Sequence, residues 1–433
     1  MSLVNKSMQL GLLQLRNLAA AATTTSPSSS TSSQVLLCNN KKLYSVVSAD
    51  NKRAADLMMD QQSKHQVSYG KTIASQRHDW NRAVNEAEKV VGYPTSFLSL
   101  RWLLNDETAN VALHLRKLAG TNHPLLKAAK NLIYNGHNNM QAWGLIVLLM
   151  SKAAGQYNVT NEQDIDRSVG VLHSQRTLAE ITEMIRTSHL VHKGLVNMRK
   201  SDFPDPAEHE DMTFGNKIAL LTGDYLLGHT SVALAGLKNQ ELVELISTAV
   251  KDLSEAEFVA RRDSQNNILP SIPSADRTNY AINEWTLQNV LSGASLLGKS
   301  CKGALKLAGH NEEMQEHGFV FGKHLALAWQ AAIDLSPFIT RDSSTPFNLC
   351  SAPVLFHIEH DPSLLVEIDK GLESIENVDY PKIYETVFNG PGIELTKQMQ
   401  RDHSQRAMDL LSVFDESEAK TALANIIYAM GGL

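Results

Sequence analysis

The chain of 433 residues has few cysteines, and it lacks any long uninterrupted apolar run. Its three cysteines, Cys38, Cys301 and Cys350, are odd in number and have no metal-like spacing, which favours reduced, buried thiols over a disulfide framework. No apolar run approaches the ~20 residues that a helix needs to cross a bilayer, so we predict no transmembrane segment. A net charge of −6 offers no basic surface, and we predict no nucleic-acid partner.

Acidic residues are missing altogether from residues 1–49, which contain a Ser/Thr-rich run over 23–33. The basic residues of this segment are Lys6, Arg16, Lys41 and Lys42. Leucines surround Arg16, and the composition is typical of a mitochondrial transit peptide, with a plain disordered tail as the alternative. We therefore predict a transit peptide and disordered segment over 1–76, a folded domain over 77–433, and a location in the mitochondrial matrix.

The rest of the chain has a helical pattern. Apolar residues recur at spacings of three, four and seven, as one buried helix face requires, with Ser188 as a small residue among them. These apolar residues are Leu178, Ile181, Met184, Val191 and Leu195. Gly144–Met150 predicts a buried helix. Breaks are predicted at 200–212, an acidic and solvated loop, and at 263–278, a mobile surface loop with two prolines.

Residues 178–192 closely resemble the helix that precedes the first aspartate motif of the trans-polyprenyl diphosphate synthases. In that family Asp-Asp-x-x-Asp would follow His192, and its carboxylates would hold Mg²⁺ against a diphosphate. Here Lys193, Gly194 and Asn197 stand at the three aspartate positions. The resemblance therefore implies a first motif that has lost its metal ligands.

The second motif and one substrate motif depart from the family in the same way. Residues 321–330 resemble the segment before the second aspartate motif, where Ile333, Asp334 and Pro337 now stand. Only Asp334 keeps a carboxylate, and a proline at 337 favours a helix end or kink. Met140, Gln141 and Trp143 lie where the family has Gly-Lys-x-x-Arg-Pro, whose cations hold isopentenyl diphosphate.

The segments that build the family's helical frame are kept, namely 214–227, 292–297 and 351–355. The resemblance implies an all-α isoprenoid-synthase helical bundle with degenerate metal-binding motifs. We expect Gly223 to allow close helix packing, and Trp143 and Trp329 to pack rather than bind ligand. Lys217 and Asp224 are expected to be polar framework residues.

Segments 86–97 and 116–121 are similar to the non-catalytic subunits of animal decaprenyl-type synthases. That resemblance implies an accessory or regulatory subunit that pairs with a catalytic subunit 1 in a heterodimer or heterotetramer. The complex would condense isopentenyl diphosphate with an allylic diphosphate to make the ubiquinone side chain. This chain would contribute no catalytic, substrate or metal residue and bind no cofactor, and Mg²⁺ would lie in the partner.

Two other functions stay open at this point. The chain could be a stand-alone prenyltransferase in which Asp334 and the acidic residues of 202–211 replace the usual ligands. It could also be a polyprenyl-binding scaffold in quinone assembly, with no effect on a synthase. The missing carboxylates and cations at the family's diphosphate-binding motifs favour an accessory subunit over a stand-alone enzyme. Only the resemblance to the non-catalytic subunits separates an accessory subunit from a scaffold.

Overall fold

The computed structural model describes residues 70–92, 143–157, 165–166, 170–195, 205–263, 266–339, 347–373 and 377–431. It divides the chain into residues 1–78 and a compact unit of residues 79–433. The boundary that we placed after residue 76 stays a prediction, as does the transit peptide, which lies outside the described residues.

Helices dominate the described ranges, as predicted. The α-helices are α1 (Gly70–Val91), α2 (Trp143–Ala154), α3 (His173–Lys193), α4 (Pro206–Gly236), α5 (Gln240–Val259), α6 (Tyr280–Asn289), α7 (Ser295–Leu307), α8 (Glu312–Ile339), α9 (Ala352–His360), α10 (Leu364–Asp369), α11 (Tyr380–Phe388), α12 (Gly392–Leu411) and α13 (Glu418–Ala429). A π-helical turn, Val290–Ala294, joins α6 to α7, and a 3₁₀ turn, Lys370–Leu372, follows α10.

The α2 helix lies in the middle of the core. Its residues from Trp143 to Ser151 are all buried, which confirms the helix predicted there and fits a helix that is apolar on every side. It packs against α3, α7 and α13, while α8 packs against α7 and α12. Neighbouring helices thus hold α2 in place on several sides.

The contact between α3 and α4 depends on small residues. Ser188 donates a hydrogen bond of 2.9 Å to the carbonyl of Gly223. A Cβ atom on Gly223 would lie 2.0 Å from the ring of His192, so the glycine makes room for that imidazole. The predicted roles of Ser188 and Gly223 are confirmed. Leu195 was assigned wrongly, because α3 ends at Lys193 and Leu195 is exposed beyond it.

The acidic loop prediction is wrong from residue 206 onward. Asp205 caps α4 by accepting a 2.9 Å hydrogen bond from the backbone N–H of Ala207, and Pro206 occupies the first helical position. Glu208, Glu210 and Asp211 consequently lie in the first two turns of α4. Carboxylates there are stabilised by the positive end of the helix dipole, so the acidic run starts a helix.

The mobile loop predicted over 263–278 is also wrong in part. Two-residue strands, β3 (Arg261–Arg262) and β4 (Ile268–Leu269), pair as an antiparallel hairpin. Asp263 closes it by accepting hydrogen bonds of 2.7 and 2.8 Å from the backbone N–H and side-chain amide of Asn267. The same architecture recurs at β1 (Ile165–Asp166) and β2 (Val171–Leu172).

Among the described residues, α4 is the one helix with the length and apolar composition of a membrane span. Of its most apolar stretch, 39 % is buried inside the protein. Core helices of water-soluble proteins meet the same criteria, so this finding is weak evidence for a membrane span.

Glycines set the spacing between α7 and α8. A Cβ atom on Gly322 would lie 2.8 Å from the carbonyl oxygen of Leu297 and 2.9 Å from the Cα of Gly298. Both atoms belong to the backbone of the neighbouring helix, so neither can move without shifting that helix.

Gly322→Ala should therefore lower the free energy of unfolding by about 1–3 kcal/mol, although alanine is the better helix former. Gly228→Ala is the matched control, because nothing lies within 4 Å of a Cβ at that position of α4. It should raise stability by up to about 1 kcal/mol. Urea unfolding of the two variants tests the contact, and equal effects of the same sign would contradict it.

Candidate functional site

The first motif position lies at the carboxyl end of α3. Lys193 is the last residue of the helix, and Gly194 follows as its cap, while Asn197 lies outside the described residues. The Lys193 ammonium is 3.9 Å from a carboxylate oxygen of Glu257 on α5. Burial lowers the pKa of Lys193, and Glu257 opposes that shift. A cation thus stands where the family resemblance called for a carboxylate.

Two and three turns earlier, α3 carries a buried charged pair that the sequence reasoning missed. Glu183 accepts a 2.6 Å hydrogen bond from the backbone N–H of Gly144 at the start of α2. Burial raises the pKa of Glu183 to about 7, although this hydrogen bond and Arg186 both lower it. Burial likewise lowers the pKa of Arg186 to about 10, against the attraction of Glu183. Two residues of opposite charge, three positions apart on α3, were the available signal in the sequence.

Trp143 covers this pair. The guanidinium carbon of Arg186 lies 3.9 Å from the centre of a Trp143 ring, which is a cation–π contact. The ring edge would lie 3.0 Å from a Cβ on Gly293, in the π-helical turn. A side chain larger than glycine would therefore disturb the stacking. Trp143 packs as predicted, and it fills space beside the first motif position.

Trp329 also packs as predicted. It is buried, and its ring meets Trp80 of α1 edge to face with 4.8 Å between centroids. Met140 and Gln141, the other two residues at the predicted substrate-cation positions, lie outside the described residues.

The second motif position holds a buried carboxylate. Asp334 Oδ2 accepts hydrogen bonds from the indole N–H of Trp285 at 2.8 Å and the backbone N–H of Ala352 at 2.9 Å. Its Oδ1 accepts from the Gln330 amide at 2.9 Å. Burial raises the pKa of Asp334 to about 6, and the three donors limit that rise. Asp334 therefore connects α6, α8 and α9.

Pro337 does not end its helix where the sequence suggested. It lies inside α8, which continues to Ile339, and its carbonyl accepts a 3.4 Å hydrogen bond from the Tyr384 hydroxyl of α11. The proline was expected to end or kink the helix, and the structure shows that the helix does not end at residue 337. Ile333 is partly exposed on the same helix.

The residues at the two motif positions do not fit Mg²⁺. Mg²⁺ takes oxygen ligands and keeps several waters, whereas Lys193 is a cation and Asp334 is 7 % exposed with both oxygens accepting hydrogen bonds. Within the ranges that the structure describes, no three His, Cys, Asp or Glu side chains are grouped as a metal site would require. We therefore derive no chemical step through a metal on this chain.

Asp224 is the framework residue that faces the α3 helix. Its carboxylate lies 3.5 Å from Nε2 of His192, which also lies 3.3 Å from the Leu220 carbonyl. Asp224 thus contacts a neighbouring helix, as a framework residue would, whereas Lys217 is exposed on α4.

Asp334→Ala should lower the free energy of unfolding by several kcal/mol, because two buried N–H donors lose their acceptor at about 1–3 kcal/mol each. Asp334→Asn should keep most of the stability. Its amide oxygen can accept from Trp285 and Ala352, and its amide N–H can donate to Gln330 once that side chain turns over. Urea unfolding measures the free energy of unfolding of both variants. Equal losses of stability would contradict the hydrogen-bond geometry of Asp334.

Glu183→Gln should change how stability depends on pH. Because burial raises its pKa to about 7, Glu183 keeps its proton in the folded chain up to about pH 7, whereas a glutamate in water loses it near pH 4.5. The stability contributed by this carboxyl is complete below pH 4.5 and is lost as the pH rises to about 7. The variant minus wild-type difference in unfolding free energy should therefore rise by up to about 3 kcal/mol over that interval and then level off. A difference constant with pH would contradict the raised pKa.

The sequence matches the family model for polyprenyl synthetase over residues 140–360. It is 42 % identical over 366 residues to the human all-trans-polyprenyl-diphosphate synthase PDSS2, covering 83 % of this chain and 89 % of the relative. It is 30 % identical to a probable mitochondrial hexaprenyl pyrophosphate synthase of Neurospora crassa, covering 79 % of this chain and 83 % of that protein.

Solved structures share the fold. Geranylgeranyl pyrophosphate synthetase of Pyrococcus horikoshii superposes with a TM-score of 0.55 at 17 % identity, over 82 % of this chain and 98 % of that one. Heptaprenyl diphosphate synthase of Staphylococcus aureus gives a TM-score of 0.53 at 15 % identity, over 84 % and 98 %. The expected all-α isoprenoid-synthase fold is confirmed.

Proposed function

Because this chain belongs to the polyprenyl synthetase family, we propose that it is the accessory subunit of a heteromeric trans-polyprenyl diphosphate synthase. A polyprenyl diphosphate synthase role follows from its relatives. The finer proposal is that a catalytic subunit 1 carries Mg²⁺ and both diphosphates. The joint product would be the side chain of ubiquinone.

The main support for the proposal comes from the residues that occupy the two aspartate-motif positions. One holds Lys193, and the other holds a carboxylate that accepts hydrogen bonds from three helices. Metal-assisted departure of a diphosphate requires oxygen ligands facing the substrate. A chain that keeps the frame of such an enzyme without those ligands is suited to supporting an active relative.

A long apolar stripe on α4 supports the existence of a partner. Exposed apolar or small residues follow one another at spacings of four, three, four and three, which places them on one face of the helix. They are Leu221, Tyr225, Gly228, Val232 and Ala235. The opposite face, with Leu226 and Leu234, is buried against the core.

This stripe is suited to a helix of another chain. The stripe runs from Leu221 to Ala235, roughly 20 Å along the helix, and an exposed apolar surface of that length favours association. Gly228 lets a facing backbone approach closely, because nothing lies within 4 Å of its Cβ position. A catalytic subunit of the same fold would cover the stripe, and the interface would stabilise both chains by mass action. We propose a heterodimer or a pair of heterodimers.

We place the complex in mitochondria. The Neurospora crassa relative and a Yarrowia lipolytica relative with 26 % identity are both named mitochondrial hexaprenyl pyrophosphate synthases. Their names agree with the acid-free, basic composition of residues 1–49. The matrix is the compartment that such a transit peptide addresses.

A stand-alone enzyme is less well supported. It would need Asp334 and the acidic residues near 205–211 to act as metal ligands. Asp334 is already a hydrogen-bond acceptor for three donors, and Glu208, Glu210 and Asp211 lie at the start of α4.

The central experiment measures prenyltransferase activity with Mg²⁺, isopentenyl diphosphate and farnesyl diphosphate. The chain alone should give no turnover, and coexpression with the catalytic sister chain should give long-chain product. Turnover by the chain alone would instead support the stand-alone enzyme. A sister chain equally active without this chain would support the scaffold role.

Val232→Asp tests the docking surface, because this valine is 72 % exposed in the middle of the α4 stripe. The variant should fold normally, fail to copurify with the catalytic chain and fail to support its activity, since burial of an unpaired charge costs several kcal/mol. Val366→Asp on α10 is the matched control, as Val366 is 67 % exposed and lies outside the stripe. Loss of partner binding in both variants, or in neither, would contradict this surface.

A further inference from the structure

Two histidines face each other where α8 packs against α12. His324 of α8 and His403 of α12 bring their Nδ1 atoms to within 2.8 Å of each other, which is a hydrogen-bond distance. Their ring centroids are 5.0 Å apart. A neutral imidazole carries one proton, so one ring donates from Nδ1 and the other accepts with its Nδ1 lone pair. Neither histidine occupies an aspartate-motif position.

The surroundings of this histidine pair keep both rings neutral. Burial is the main cause that lowers the pKa of each histidine to about 4. The positive charge of Lys323 acts in the same direction on both rings, and that of Arg406 acts on His324. Asp402 opposes the shift of His403. At neutral pH the pair therefore presents imidazole lone pairs, which are the form in which histidine binds metal ions.

An aromatic neighbour fixes one ring of the pair. Trp285 of α6 stacks on His403, with 6.1 Å between the ring centroids and 30° between the ring planes. The indole N–H of Trp285 donates to Asp334, which holds the tryptophan in place in turn. Packing of this kind limits rotation of the imidazole, so less conformational entropy is lost when a ligand binds.

A surface cavity next to the pair gives ions a path to it. The cavity has a volume of about 360 Å³, and its lining includes Val320 of α8 and Arg406 of α12. Val320 lies about one turn before His324, and Arg406 lies about one turn after His403. Both histidines are themselves partly exposed, so an ion and its waters can approach from the cavity side.

We propose that His324 and His403 form a binding site for a divalent transition-metal ion of the Zn²⁺ type, which joins α8 to α12. Imidazole nitrogen is a preferred ligand of such ions, and water molecules complete the four-coordinate shell. Both Nδ1 atoms coordinate the ion. The ring that donated from Nδ1 now carries its proton on Nε2, so the pair releases no net proton.

The geometry of the pair needs only a small adjustment. In a tetrahedral site with Zn–N bonds of about 2.0 Å, two ligand nitrogens lie about 3.3 Å apart. The two Nδ1 atoms are 2.8 Å apart, so they have to separate by roughly half an ångström. Rotation about the terminal side-chain torsions allows this movement, because these torsions have broad minima in histidine.

This site differs from the family's Mg²⁺ sites in its ligand atoms and in its position. Mg²⁺ takes oxygen ligands, whereas the pair offers two nitrogens. The site goes beyond the accessory role and does not depend on it. Zinc binding is measured on this chain alone, so its failure and a failure of the joint prenyltransferase activity are separate results.

Zinc binding by the purified full-length chain, stripped with EDTA and then dialysed, tests the proposal. Equilibrium dialysis should show about one more bound Zn²⁺ in the wild type than in His324→Asn or His403→Asn. Zn²⁺ should also raise the midpoint of thermal unfolding of the wild type, because it binds the folded state. An excess of Mg²⁺ should leave both results unchanged, and displacement of the zinc by Mg²⁺ would overturn the proposal.

Asparagine keeps a hydrogen-bonding group near the former Nδ1 position and removes the strong metal ligand. Zinc affinity at this site should therefore fall about tenfold or more in His324→Asn and in His403→Asn, since one of two protein ligands is lost. His360→Asn is the matched control, because His360 is an exposed histidine at the end of α9, and it should bind zinc like the wild type.

Two results would show that the histidine pair is not a zinc site. One is equal zinc binding by the wild type and both pair variants, and the other is an equal loss of zinc in the His360→Asn control. The wild type alone also decides the question if neither pair variant folds. A wild-type chain whose thermal unfolding does not respond to Zn²⁺ would overturn the proposal.

Discussion

The buried carboxylate of Asp334 is the interaction on which the geometry of the second half of the bundle depends. It accepts hydrogen bonds from an indole on α6, an amide one turn earlier on α8 and the first backbone N–H of α9. A buried charge is costly unless donors surround it, and these donors come from three helices. The arrangement of those helices and the ionisation of Asp334 therefore stabilise one another. At the second motif position, Asp334 is thus a structural connection between helices.

The charged pair of Glu183 and Arg186, two to three turns before the first motif position, follows the same physical rule by a different route. Glu183 and Arg186 are buried together, Gly144 donates to the carboxylate, and Trp143 stacks on the guanidinium. Charged groups in a closed core are unfavourable unless they find partners there. Asp334 and Glu183 both accept hydrogen bonds from within the protein. Lys193, at the carboxyl end of α3, lies 3.9 Å from a carboxylate oxygen of Glu257.

Much of the helical bundle could be predicted from the sequence, because the spacing of apolar residues and the positions of small residues indicate which helix faces pack together. Ser188 and Gly223 are examples, since only small side chains fit where α3 meets α4. The burial of Glu183 and Arg186 could not be predicted, because the sequence does not show whether a charged side chain faces water or another helix. The start of α4 was missed for a related reason. A run of acidic residues resembles a loop until Asp205 and Pro206 are recognised as a helix cap.

The exposed stripe of α4 and the buried polar groups of the core both fit the proposed accessory subunit. A chain that leaves metal binding to a partner can fill its own centre with tryptophan and ion pairs, which stabilises the fold independently of substrate. The proposed partner would contact the apolar face of α4, which lowers solubility when it is exposed. If the chain only stabilised itself, polar residues on that face would serve it better. Exposure of Leu221, Tyr225 and Val232 on the solvent side of α4 therefore supports the proposed assembly.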